Sequence, residues 1–297
     1  MPVAHLGSIH LAYESSGKTT DPAIVLIRGA GSQLVHWHPA LLQLLESCSL
    51  RVIRFDNRDA GQSSNFEHLG ATPTPELIRQ SLSGEPIRAP YTLHDMASDV
   101  VGLLDALEIR RAHLLGISLG GMTAQLVAAR HPERVSSLIS VMSSPRAPDV
   151  RQMAPKLMQL MMSGPEGTDA AALRRHALAV ARAFAGDQFP LDDAAYLQAY
   201  DTAVSRGHPA TGEARQVAAM LATGDRSGLC REIRVPTLVI HGSADPTLPA
   251  TEARLTAELI PGAQLHILEG MGHDLTPTVI EALAPVLREH FARIEQK

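Results

Sequence analysis

Cysteine is nearly absent from this 297-residue chain: Cys48 and Cys230 are the only two, far apart and without the close spacing of a structural zinc site or a redox pair. Both read as buried thiols. No excess of positive charge exists either, since 26 basic residues face 31 acidic ones for a net charge of -5, and no run of Lys or Arg tracks a phosphate backbone. Nucleic acid is a poor candidate partner. No apolar run approaches the roughly 20 residues that span a bilayer. The start, Met1 to Gly17, lacks the charged head and continuous apolar core of a signal peptide, so a cytoplasmic location without a membrane span is expected. Internal repeats and low-complexity tracts are missing. The cluster His36, Trp37 and His38 has no third ligand at suitable spacing, so a metal is not expected, and Trp37 is expected to pack behind a neighbouring loop or edge a pocket.

What is present is apolar content of 45%, enough to bury a large core as one domain or as a core with an insertion. Short apolar runs bounded by turn residues alternate with segments of helical period, the signature of a parallel sheet covered on both faces. The expected strands are Val3 to Leu6, Ser8 to Tyr13, Ala23 to Ile27, Arg51 to Phe55, Ala112 to Ile117, Val135 to Val141, Thr237 to Ile240 and Gln264 to Leu268, the first two antiparallel. The fold class is therefore α/β, an eight-stranded and mostly parallel sheet with helices on both faces. Thr92 to Leu107 puts Leu93, Met96, Val100, Leu103 and Leu107 on one stripe, with Thr92 and Asp95 as a capping pair. The final helix carries Ile280, Leu283, Leu287, Phe291 and Ile294 on its apolar face.

The rhythm breaks from Ser143 to Cys230, which is rich in Ala, Met and Arg and has no strand-like run. Gly164, Pro165 and Gly167, then Gly186 and Pro190, then Gly207 and Pro209 divide it into about four helices. The expected organisation is a core of residues 1–142 and 231–297 with a helical cap, 143–230, inserted to roof a pocket. The stripe Met153, Leu157, Met158, Leu160, Met161 and Met162 reads as core packing, with pocket lining as the second reading. Ser63 to Pro90, with four prolines and no periodic pattern, reads as a long surface excursion.

Chemistry enters at Gly116-Ile117-Ser118-Leu119-Gly120-Gly121, a G-x-S-x-G motif between the strand Ala112 to Ile117 and a helix running to about His131. A sharp strand-to-helix turn forces the serine into a strained conformation, where only small neighbours such as Gly116 and Gly120 avoid clashing. The strain points the hydroxyl outward, and the helix that starts at Leu119 aims free N–H groups at the reaction centre. A serine hydroxyl needs a base within reach, and the base needs an orienting group. Asp245 follows the strand Thr237 to Ile240 in the turn His241-Gly242-Ser243-Ala244-Asp245-Pro246, and His273 follows the next strand in Gly270-Met271-Gly272-His273-Asp274. Both lie at carboxyl ends of strands, where open α/β sheets place their sites. The candidates are Ser118 as nucleophile, His273 as general base and Asp245 as orienting acid. Asp274 is the alternative acid, with poorer geometry because it adjoins His273. Asp56, Arg58 and Asp59 read as an ion-paired turn rather than as catalytic groups.

The runs Val25 to Gly31, Asp56 to Ser63, Gly116 to Gly121 and Gly270 to His273, with the chain order Ser, Asp, His, resemble the α/β-hydrolase superfamily over essentially the whole chain. Ile53 to Asp59 and Met271 to Leu275 are most similar to a bacterial subgroup that includes the anthracycline (aclacinomycin) methylesterases. The resemblance implies an oxyanion hole made by the backbone N–H groups of Leu119 and Ala30. It departs at Arg28, where many relatives carry His, and Arg28 is not assigned a catalytic role. The expected activity is hydrolysis of a small-molecule carboxylic ester through an acyl-enzyme, with no cofactor and no metal. Two alternatives stand beside it: perhydrolase or haloperoxidase-like chemistry on the same triad, and a non-enzymatic receptor on the same fold. Haloalkane dehalogenation is disfavoured because Ser118 stands where an Asp nucleophile is needed.

Overall fold

The computed structural model describes residues 1–207 and 211–295, so Pro209, one of the expected helix breakers, lies outside the described residues. The strands are β1 (Val3–Leu6), β2 (Ile9–Ser16), β3 (Ala23–Ile27), β4 (Arg51–Phe55), β5 (Ala112–Ile117), β6 (Val135–Val141), β7 (Thr237–Gly242) and β8 (Gln264–Leu268). They form one sheet in the order β1-β2-β4-β3-β5-β6-β7-β8. The pairs β1–β2 and β2–β4 are antiparallel, and every later pair is parallel. β2 starts one residue later and runs three residues further than expected, because Glu14 to Ser16 continue the ladder against β4.

Alternation along β3 shows why a continuous apolar run is needed there. Val25 and Ile27 enter one core, with side chains from α3 (Leu93–Ala106) and α4 (Leu119–Arg130). Ile24 and Leu26 enter the other, against α1 (Pro39–Ser47) and α11 (Pro277–Glu295). The Thr92 hydroxyl and N–H both donate to Asp95 Oδ2 at 2.7 Å, which fixes the start of α3. α11 buries Ile280, Leu283, Leu287 and Phe291, while Ile294 is only partly covered.

Two expectations need correction. The stretch Ser63 to Pro90 contains a helix, α2 (Thr74–Ser83), and its first two prolines mark the boundary rather than a loop: Pro73 precedes the helix, Pro75 sits in the first turn and Gly84, at φ 69°, closes the far end. Leu77 and Ile78 anchor it in the interior. Cys48 is partly exposed, because it caps the end of α1 instead of facing the core, whereas Cys230 is buried.

Between β6 and β7 the described chain forms α5 (Pro155–Ser163), α6 (Ala170–Ala185), α7 (Asp193–Ser205), α8 (Gly212–Thr223) and α9 (Ser227–Cys230), one helix more than the breakers suggested, before α10 (Ala250–Leu259). Of the Met and Leu stripe only Leu157 is buried, and Met162 is exposed. The stripe is therefore not a packed core face. No described helix is long and apolar enough to cross a membrane.

Candidate active site

Parallel pairing brings the carboxyl ends of β3, β5, β6, β7 and β8 to one edge, and each is followed there by a segment of the site. Ser118 is the single residue between β5 and α4, at φ 54° and ψ −123°, a conformation that costs an L-residue energy and persists only when the surroundings enforce it. They do. Ser118 N donates to Val141 O at 3.0 Å, and the Ser118 carbonyl accepts from Met122 N at 3.1 Å and from Ser143 Oγ at 2.9 Å. A Cβ on Gly116 would lie 2.2 Å from Gly120 O, and one on Gly120 would lie 2.1 Å from Ile27 O. The two motif glycines are thus required by close backbone approach.

Asp245 leaves the turn after β7 with its side chain fully buried. Oδ1 accepts from Thr247 N at 2.8 Å and Leu248 N at 2.9 Å, and Oδ2 accepts from His273 Nδ1 at 2.6 Å. A second histidine, His241 on β7, places Nε2 3.2 Å from the same oxygen and 3.0 Å from Leu248 O. Since both neighbours are acceptors, His241 carries its proton on Nε2. Burial pushes the Asp245 carboxyl up, but His273 and His241 outweigh it and hold the group well below the usual carboxylate range.

His273 N donates to Phe184 O at 2.6 Å, and the two rings lie 5.6 Å apart, so the end of α6 presses on the loop after β8. With Nδ1 committed to Asp245, Nε2 is the nitrogen left for a reacting group. The Ser118 hydroxyl forms no hydrogen bond among the described residues. The structure therefore joins His273 to Asp245 and puts Ser118 at the same edge without a direct bond to the imidazole. Asp274 turns elsewhere, its Oδ1 accepting from Leu275 N at 2.8 Å.

Ala30 lies in the loop after β3, against the serine: a Cβ on the adjacent Gly29 would be 3.3 Å from Ser118 Cβ. Neither Ala30 N nor Leu119 N donates a hydrogen bond among the described residues, which leaves both available to an oxyanion. The loop is held by residues that no local pattern revealed. Gly31 N donates to Gln216 Oε1 at 2.8 Å, and Gln216 Nε2 donates to Arg58 O at 2.7 Å, tying α8 to the loops after β3 and β4. Gln33 Nε2 donates to Ala203 O and Gly207 O, and Arg206 bonds both Gln33 Oε1 and Asp56 Oδ2.

The charged turn is a clamp. Arg58 pairs with Asp99 at 2.6 Å and Arg215 with Asp59 at 2.7 Å, the latter with both side chains fully buried and Tyr91 donating to the same Asp59 carboxylate. Trp37 is buried in the core beneath the loop after β3, with the Arg28 guanidinium 4.8 Å above its ring. His36 and His38 use Nδ1 to accept from Gln33 N and Ala40 N. Among the described residues no group of three His, Cys, Asp or Glu is placed to hold a metal ion.

Residues 22–276 of the chain, which carry this strained serine and the Asp and His after two later strands, match the family model of the alpha/beta hydrolase fold. This chain belongs to the α/β-hydrolase family. Within the family it is 27% identical to the rhodomycin D methylesterase DauP of Streptomyces sp. (strain C5), over 93% of each chain. It is 28% identical to a poly(3-hydroxyalkanoate) depolymerase of Ectopseudomonas oleovorans, over 95% of this chain and 88% of that one. Among solved structures, the enol-lactonase of Burkholderia xenovorans LB400 superimposes with a TM-score of 0.71 at 24% identity, covering 98% of this chain and all of the other, a likeness of fold.

Proposed function

We propose that this α/β-hydrolase is a serine carboxylesterase. The observation that carries the reading is the positive-φ Ser118 at the mouth of β5, on the same sheet edge as the His273–Asp245 pair. In this reading Asp245 keeps Nδ1 of His273 protonated, so Nε2 takes the proton of Ser118 as its oxygen attacks the ester carbonyl. The developing oxyanion is bound by Ala30 N and Leu119 N. His273 then protonates the leaving alcohol, and a water activated by the same nitrogen releases the acid from Ser118. Small motion of the imidazole closes the hydrogen bond to Ser118, as free enzymes commonly have looser catalytic contacts than complexes. The similarity to a methylesterase and to a poly(3-hydroxyalkanoate) depolymerase supports ester substrates.

Residues 143–230 serve as a cap in this account. Phe184 lies against His273, and Gln216 holds Gly31, so movement of these helices alters both the base and the oxyanion loop. The test is a panel of acyl esters of graded chain length, including bulky methyl esters, assayed with wild type and Ser118→Ala. Turnover by wild type alone supports the proposal, and equal turnover by the variant removes it.

A further inference from the structure

A guanidinium taken out of water must be paired, because its desolvation is costly and its donors otherwise go unused. The fold does this for the other buried and half-buried arginines near the site. Arg58 is bidentate to Asp99 at 2.6 and 2.7 Å, Arg215 is bidentate to Asp59 at 2.7 and 2.8 Å, and Arg206 reaches Asp56 at 2.6 Å. Arg226, whose Nε is likewise buried without a partner, is held by three carbonyls, those of Gly224, Ser144 and Arg146.

Arg28 departs from this pattern. Its hydrogen bond is a long one, 3.4 Å to Ser32 Oγ, its Nε is buried without a partner, and no carboxylate pairs with it among the described residues. The guanidinium rests over the ring of Trp37, which supports it from one side without using an in-plane donor. Its position is informative. Arg28 adjoins Gly29, which abuts Ser118, and it lies two residues before Ala30. Burial pulls its pKa down, and the charges that act against this come from Asp274, next to His273, and from Tyr196 on α7. The side chain therefore springs from the loop that abuts Ser118, with Trp37 beneath it and the Asp274 carboxylate acting on its charge. The residue keeps partial exposure there.

We propose that Arg28 is an anion subsite of the active site, and that the preferred esters carry a carboxylate on the acyl chain, as half-esters of dicarboxylic acids do. The free in-plane N–H groups of Arg28 donate to the two carboxylate oxygens side by side while the ester carbonyl lies at Ala30 N and Leu119 N. This rests on the esterase reading, and it names a substrate class that neither the motif nor the fold supplies.

The test uses 4-nitrophenyl half-esters of succinate, glutarate and adipate, each matched with the same chain whose free carboxylate is capped as a methyl ester. Wild type is expected to favour the charged member by at least about tenfold in kcat/KM, mainly through KM. Arg28→Met should bring that ratio to about one, and Arg28→Lys should keep part of the preference. A purely structural role lowers both rates in Arg28→Met and leaves the ratio intact, which overturns the proposal, as does a wild type that favours the capped esters. A second arm needs no turnover: monomethyl glutarate should raise the Tm of Ser118→Ala but not that of Ser118→Ala combined with Arg28→Met. If wild type hydrolyses none of the esters, the esterase reading fails while this arm still decides for or against the anion subsite. Equal Tm shifts in the two variants, or none in either, overturn it.

Discussion

Asp245 Oδ2 receives two imidazoles, His273 Nδ1 at 2.6 Å and His241 Nε2 at 3.2 Å, while the other oxygen of the carboxylate is fixed by two backbone N–H groups. The acid is thus oriented from four directions, and the tautomer of His273 is set by an anion that cannot rotate. Asp245→Asn keeps the backbone contacts through its amide oxygen but turns an amide N–H toward Nδ1. We expect a loss on the order of ten-thousandfold in kcat with an unchanged circular dichroism spectrum. Asp274→Asn, whose parent carboxylate bonds Leu275 N, should cost less than about tenfold. The reverse ranking would show that the acid is misassigned.

His241 should matter in a graded way. Removing its donor with His241→Leu leaves Asp245 one hydrogen bond short and more basic, so kcat is expected to fall by about tenfold and the acidic limb of the kcat/KM profile to move upward. His241→Gln can present an N–H near the position of Nε2 and should recover most of the rate. Equal profiles for wild type and His241→Leu would reduce His241 to a core residue bonded to Leu248.

The strained turn gives a steric prediction. Gly120→Ala places a methyl 2.1 Å from Ile27 O, a backbone atom in the central strand that cannot yield. Soluble variant protein, if recovered, should have lost esterase activity and several degrees of Tm; wild-type values for both would refute the close approach.

Acid stability follows from a second pair of histidines. His113 on β5 and His290 on α11 are both buried, and burial pushes each down to about 4, with Arg111 acting on the first and His113 and Arg293 on the second. Unfolded, they bind protons near pH 6.5. Between about 6.5 and about 4 the unfolded state therefore holds more protons, and stability must rise with pH across that window and fall as pH is lowered through it. The expected loss is on the order of 3 kcal/mol for each histidine. Urea midpoints measured from pH 7 to 4 test this, with a His113→Gln, His290→Gln double variant expected to show a shallower slope.

Much of the architecture was legible because its physics is local. A both-face-buried strand such as β3 must be continuously apolar, and the run Ala23–Ile27 is; the capping pair Thr92 and Asp95 is a contact within four residues. The location of Ser118 between strand and helix was equally readable, since Gly116 and Gly120 are demanded by close backbone approach. What escaped was non-local or ambiguous. Pro73, Pro75 and Gly84 are helix boundaries and loop markers alike, and only the burial of Leu77 and Ile78 decides for α2. Gln216, Arg215, Gln33 and Arg206 act across more than 140 positions, on partners that no periodicity names. His241 stood in a motif already noted, but its role needs the three-dimensional position of Asp245. The amphipathic Met stripe of α5 misled because helical period shows one apolar face without saying what covers it.

Covalent labelling reads whether Ser118 is the nucleophile without knowledge of the substrate. Incubation with a fluorophosphonate followed by peptide mass spectrometry should place a single adduct on Ser118, with stoichiometric loss of esterase activity. Ser118→Ala should take up no label and lose at least about a thousandfold in kcat while keeping its Tm. An adduct on another serine, or an active and unlabelled wild-type enzyme, would rule out Ser118 as the nucleophile.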